Sequence, residues 1–144
     1  MAAGNIRLRI ISLLSGLTGL GIIVFWVMFP LGNPQESFLA RVFPAWYPWE
    51  CSFVVADGWV ALSSLVAAVG LFRRRRWGLH WAGMAGSATL FLALMDILFF
   101  FQNGLYRHAH PEVWTEMLIH AWLLGWGAFL VAETSRSAGK GGEV

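Results

Sequence analysis

The chain has 144 residues, of which 58% are hydrophobic and 12% charged. A soluble domain carries about a quarter charged residues, so this composition excludes a water-facing surface and makes lipid the solvent. The net charge of +2 does not imply a nucleic-acid partner, because the arginines cluster at the edges of apolar runs without interleaved aromatics. The lone cysteine, Cys51, excludes an intrachain disulfide and any paired-cysteine redox or zinc motif.

A helix needs about 20 apolar residues to cross about 30 Å of hydrocarbon. Ile10 to Phe29 carries no charge and stops at Pro30. This run is longer than a signal-peptide core and no small-x-small cleavage site follows, so it is expected to be retained as a first span over about residues 8–30. The segment from Leu31 to Trp49 is the one long connection. Asn33-Pro34-Gln35-Glu36 has the pattern of a helix start, with an Asn cap, Pro at the first position and Glu at the third. Phe38, Leu39, Val42 and Phe43 then share one face, and Pro44 stops the helix at or before Phe43. The expectation is a short amphipathic helix in the outer interface, followed by a stiff aromatic collar from Pro44 to Trp49.

A second span is expected over 51–72, with Asp57 as its one charge, and a third over 77–101, with Asp96 inside it and His80 near its start. Asn103-Gly104 marks a turn in the short loop that follows, and Pro111 suits the first turn of a fourth span over 112–132, which holds Glu116 and His120. Unpaired amides are not tolerated in lipid, so all four spans must be helices. The fold expected is all-α: one domain over residues 1–134, a four-helix transmembrane bundle with a short interfacial helix in its first outer loop. A Ser/Gly-rich tail over 135–144 is expected to be disordered. Small residues four apart (Ser12 and Gly16, Ser64 and Ala68, Ala82 and Gly86, Ala121 and Gly125) allow close helix approach, within the monomer or between chains.

Basic residues set the direction. Arg7, Arg9, Arg73 to Arg76, Arg136 and Lys140 all fall at one end of an even-numbered set of spans, which places both termini in the cytoplasm and the protein in the plasma membrane. Trp46, Trp49 and Trp114 mark the outer interface, and Trp77 and Trp81 the inner one. The same arginine run can also touch anionic headgroups.

The functional signal is a set of ionisable groups at one depth. With a rise of about 1.5 Å per residue, Asp57, Asp96 and Glu116 lie roughly 7–10 Å outward of the span centres and His120 roughly 4 Å. Glu50 and Asp57 share one helix stripe, Asp96 and Asn103 another, and Glu112, Glu116 and His120 a third. Charges this deep cost about 2.5–3.5 kcal/mol each on insertion scales, so the stripes should face one another or a wet cavity. Glu50, Asp57, Asp96, Asn103, Glu116 and His120 are therefore candidate ligand-binding residues, with Asp57, Asp96 and His120 as acid/base candidates. His108, His110, Glu112, Glu116 and His120 supply metal-ligand types, but the Glu-x-x-His signature of di-iron bundles is absent, so no metal or other cofactor is expected. The bland alternative is that these groups only hydrogen-bond across the bundle and fix its packing.

The runs Tyr47-Pro48-Trp49-Glu50, Ala56-Asp57-Gly58-Trp59 and Asp96-Ile97-Leu98-Phe99 with Asn103-Gly104 resemble small four-span bacterial membrane proteins of unassigned function, over about residues 10–132. The resemblance implies no activity. Acids and His in the outer half of a small aromatic-rich bundle are also similar, in architecture alone, to sterol isomerases of the emopamil-binding type, and no catalytic residue carries over. The expected role is binding of a small apolar or amphipathic molecule in an outer-leaflet polar pocket, with enzymatic activity left open. The alternatives are a non-catalytic accessory subunit, joined to a membrane-protein partner or a second copy through its small-residue faces, and a component of a proton or cation pathway.

Overall fold

The protein is described by a computed structural model covering residues 2–140, with side chains from 6 to 137. Among the described residues all regular structure is helical: α1 (Ala2–Met28), α2 (Phe38–Val42), α3 (Trp46–Ser52), α4 (Val54–Phe72), α5 (Arg76–Gln102) and α6 (Pro111–Lys140). Four segments, Ile6–Gly32, Val54–Phe72, Arg76–Gln102 and Pro111–Ser137, are long and apolar enough to cross a membrane. Their outward faces are oily. Val55 is 80% exposed and Leu118 73%, which suits lipid and not water.

Local chemistry explains where the helices stop. Pro30 lies in a 3-10 turn, Phe29–Gly32, that ends α1, and Asn33 then takes the left-handed conformation at φ 49°, which Asn tolerates better than most residues. Asn33 therefore does not cap a helix as its sequence context suggests. Pro34–Glu36 forms a single 3-10 turn, and Ser37 caps α2, its Oγ accepting the Ala40 N–H at 3.1 Å. α2 ends at Val42, ahead of Pro44, as expected.

Three other expectations change. The collar from Trp46 onward is a helix, because Pro48 falls in the first turn of α3, where its missing N–H has no intrahelical partner to lose. A one-residue break at Phe53 separates α3 from α4. The tail expected to be disordered from Ser135 instead continues α6 to Lys140, its Ser and Thr hydroxyls bonding back to carbonyls one turn earlier (Ser135 Oγ to Val131 O at 2.8 Å). Residues 141–144 lie outside the described part of the chain.

Helix α1 packs on α4, α4 on α5, and α5 on α6. Small residues set these distances. Ser12 Oγ donates to Ala68 O across α1 and α4 at 2.7 Å, and Gly16 faces the same Ala68. A Cβ added at Gly127 would sit 2.8 Å from Leu90 N, so α5 and α6 touch backbone to backbone. The Ala121 and Gly125 pair differs: Ala121 is exposed, and a Cβ at Gly125 would meet nothing within 4 Å. Among the described residues α1 and α6 meet only sparsely, and cavities lie along the seam between them.

The two ends of the helix set differ in chemistry. At the basic end, Arg7 pairs with Glu133 across the seam, over a core of Ile11, Ala67, Leu71, Ala82, Ala85, Trp126 and Leu130. At the loop end, Leu39, Ala40 and Trp46 bury themselves against Phe100, Leu105 and Val113. Helix α2 thus turns its apolar face into the protein, with Leu39 only 1% exposed. The loop end is capped by its own aromatic chain.

Candidate functional site

The ionisable residues singled out by depth come from α3, α4, α5 and α6, and several of them act on one another electrostatically. Glu50 on α3 is partly buried and stands within electrostatic reach of Glu116, Asp96 and Asp57. Its carboxyl is pushed up to about 9, first by burial and then by Glu116, Asp96 and Asp57 in turn. Burial and neighbouring acids both disfavour the ionised form, so Glu50 holds its proton at neutral pH.

Each of the other acids has a neighbour that orients it. Asp57 Oδ2 accepts a hydrogen bond from Trp26 Nε1 at 2.9 Å, tying α4 to α1. Trp49 neighbours Asp96 and lies flat on Phe99, centroids 4.3 Å apart. Its indole N–H is buried and lacks a partner at good hydrogen-bonding geometry, although it lies near the Asp96 carboxyl.

His120 on α6 is buried, with Phe100 edge-on at 4.9 Å. Its Nδ1 is 2.8 Å from the Tyr106 hydroxyl, and its Nε2 is 3.9 Å from Glu116 Oε2. The Tyr106 phenol is pushed up to about 12, by burial first and then by Asp96 and Glu116, so it keeps a proton to donate. With Tyr106 donating to Nδ1, the imidazole carries its own proton on Nε2, toward Glu116. The result is a chain of groups, Tyr106–His120–Glu116, running into the carboxylate cluster.

Other sequence candidates go elsewhere. Asn103 is exposed, and its amide donates to Phe99 O at 2.8 Å, capping the end of α5. Glu112 accepts the N–H groups of Phe38 at 3.0 Å and Leu39 at 3.1 Å, so its carboxylate serves the start of α2. His110 stacks on Phe38 at 3.9 Å, and His108 meets the same ring edge-on at 5.6 Å. The five residues with metal-ligand chemistry are thereby spread over separate tasks, and among the described residues no three His, Cys, Asp or Glu side chains gather closely enough to hold a metal.

A cavity of about 400 Å³ opens beside the cluster in the seam between α1 and α6. Val24, Phe25 and Met28 form one wall, Thr115 and Glu116 the other, and Trp46 lies between. Trp46 is 4% exposed, and its indole N–H has no partner. The cavity therefore offers apolar walls and two carboxylates, Glu112 and Glu116, of which Glu112 is already engaged by the N–H groups of Phe38 and Leu39. Glu116 both lines it and belongs to the cluster.

Tyr106, Trp26 and the approach of Trp49 to Asp96 escape sequence reasoning. Tyr106 lies in a loop where periodicity gives no facing, and the one available signal was that a buried histidine requires a partner.

Taken together, the chain is an all-helical protein with four helices of membrane-spanning length and an acid-rich site at one end. Compared with family models, curated proteins and solved structures, it matches none.

Proposed function

We propose that the protein is a multi-pass plasma-membrane protein, a four-helix bundle with both termini in the cytoplasm, that holds a small amphipathic molecule bearing a cationic or hydrogen-bonding head in its outer leaflet. The observation that carries this reading is that Asp57, Asp96 and Glu116, each from a different helix, all lie within electrostatic reach of Glu50 on α3, with Glu116 lining an apolar cavity. Holding four carboxyl groups together at this depth opposes both insertion and packing, and a cationic head would relieve that repulsion. The apolar body of the ligand would occupy the space between Phe25, Met28 and Trp46. In this arrangement α2 and the Trp46 and Trp49 rings sit at the outer membrane interface and roof the site.

Tyr106, His120 and Glu116 also form an acid/base chain next to the cavity. This chain would let the site accept or release a proton as a ligand's head enters.

A direct test compares a long-chain alkylamine with the alcohol of equal length on purified protein. The amine should bind more tightly, and Glu116→Gln should weaken amine binding about tenfold, the loss expected from removing one charge-assisted contact, while leaving alcohol binding unchanged. Equal affinity for the two probes, or an unaltered amine affinity in Glu116→Gln, would reduce the cluster to a packing device.

One observation favours a second reading. The exposed Ala121 and Gly125 face is a close-packing surface with no partner inside the monomer, as an accessory subunit would present to a larger membrane protein.

A further inference from the structure

The seam between α1 and α6 holds a second site, remote from the acid cluster. At the basic end a groove of about 510 Å³ runs between Ile6, Ile10, Ile11 and Leu14 of α1 and Trp126 and Phe129 of α6. Its walls are apolar except for Arg7 at its mouth. Trp126 and Phe129 stack with centroids 5.4 Å apart, giving the α6 side a rigid aromatic face. Trp126 is 6% exposed and keeps a buried indole N–H without a partner.

A smaller polar cavity of about 330 Å³ continues from the groove, lined by Arg7, Glu133, Arg136 and Ser137. Arg7 belongs to both cavities. Glu133 pairs with one nitrogen of Arg7, but the Arg7 side chain remains 54% exposed and its other N–H groups are open. Arg136 is exposed. Two guanidinium groups against one carboxylate leave the polar cavity net positive.

A long apolar groove that opens into a cationic pocket, at the end of helices of membrane-spanning length, has the two-part chemistry of an anionic phospholipid. We propose that this seam is a binding site for one anionic phospholipid, its phosphate held by Arg7 and Arg136 and one acyl chain lying in the groove. Charge complementarity chooses the occupant. A zwitterionic lipid fits the groove and offers the same phosphate, but its own cation opposes the net positive pocket, and a free phosphate satisfies the arginines but leaves the groove empty. The ion pair between Arg7 and Glu133 orients one guanidinium. The inference depends on the chain residing in a membrane and not on the acid cluster at the other end.

The test measures melting temperature and lipid retention by native mass spectrometry, on full-length protein in detergent. Phosphatidylglycerol and phosphatidylcholine with matched acyl chains are added separately, with glycerol phosphate as the headgroup alone. Phosphatidylglycerol should raise the melting temperature more than phosphatidylcholine and be retained as a single copy, and glycerol phosphate should do neither. Arg136→Gln, which spares the ion pair, should cancel the preference for phosphatidylglycerol. Ile10→Trp, which fills the groove from a half-exposed position, should lower retention of both lipids. Equal effects of the two lipids on the unaltered protein overturn the proposal. So does a preference that survives both substitutions but disappears in Arg73→Gln/Arg74→Gln, which would place the effect in the α4–α5 turn. A shift produced by glycerol phosphate alone would reject the acyl-chain half and with it the lipid as occupant.

Discussion

Glu50 sits where the electrostatic consequences of the fold concentrate. Its carboxyl titrates near 4.5 in an unfolded chain and near 9 in the folded one, because burial and the facing acids Glu116 on α6, Asp96 on α5 and Asp57 on α4 all oppose its charge. Between these values the folded state binds a proton that the unfolded state has released, so stability falls as pH rises across that window. Replacing Glu50 with Gln keeps the shape and removes the titration. Glu50→Gln should flatten the decline in melting temperature between about pH 4.5 and 9 and raise it at about pH 8 by on the order of 5 °C. Thermal unfolding of the two proteins in one detergent across that range checks this. Parallel curves would mean that the carboxyl is solvated and lies outside the cluster.

Among the elements, α6 carries two small-residue positions with opposite surroundings. Gly127 lies against the α5 backbone, and Gly125 opens outward. A branched side chain at Gly127 has to push two helices apart, an overpacking that typically costs about 1–3 kcal/mol. At Gly125 the same side chain meets nothing within 4 Å among the described residues. Gly127→Val should therefore lower the melting temperature clearly, and Gly125→Val should leave it unchanged within about 0.5 kcal/mol. If Gly125→Val also abolishes co-purification of a membrane partner or a second copy, the accessory-subunit reading gains its interface; if neither property changes, that face is plain lipid contact.

For the whole molecule, the basic residues at the start of α1, in the α4–α5 turn and at the end of α6 share one end, as the pairing of Arg7 with Glu133 and of Ser12 with Ala68 requires. Under the proposed membrane reading, the positive-inside rule predicts that this end is cytoplasmic. In a Cys51→Ser background, a cysteine at the exposed Asn103 should react with a membrane-impermeant maleimide applied to intact cells, and one at the exposed Ser135 should react only after permeabilisation. The reverse pattern would move the acid cluster to the cytoplasmic leaflet and require a different class of ligand.

The helical class and four helices of membrane-spanning length were legible in the amino-acid order alone, because long apolar runs with little charge leave no other regular structure in lipid. It also placed Asp57, Asp96, Glu116 and His120 at a common depth, since rise per residue converts spacing into height. It was silent on which helices would be neighbours, so the seam between α1 and α6 and both of its cavities belong to the tertiary structure. Long-range pairing likewise decided the fates of individual side chains. Glu112 left the candidate site for the α2 backbone, Asn103 turned to the end of its own helix, and Tyr106, in a loop without periodicity, became the partner of His120. Residues 135–140 extend α6 for a local reason: Ser and Gly lower helix propensity by only about 1 kcal/mol or less per residue, too little to stop a helix already propagating from an apolar span.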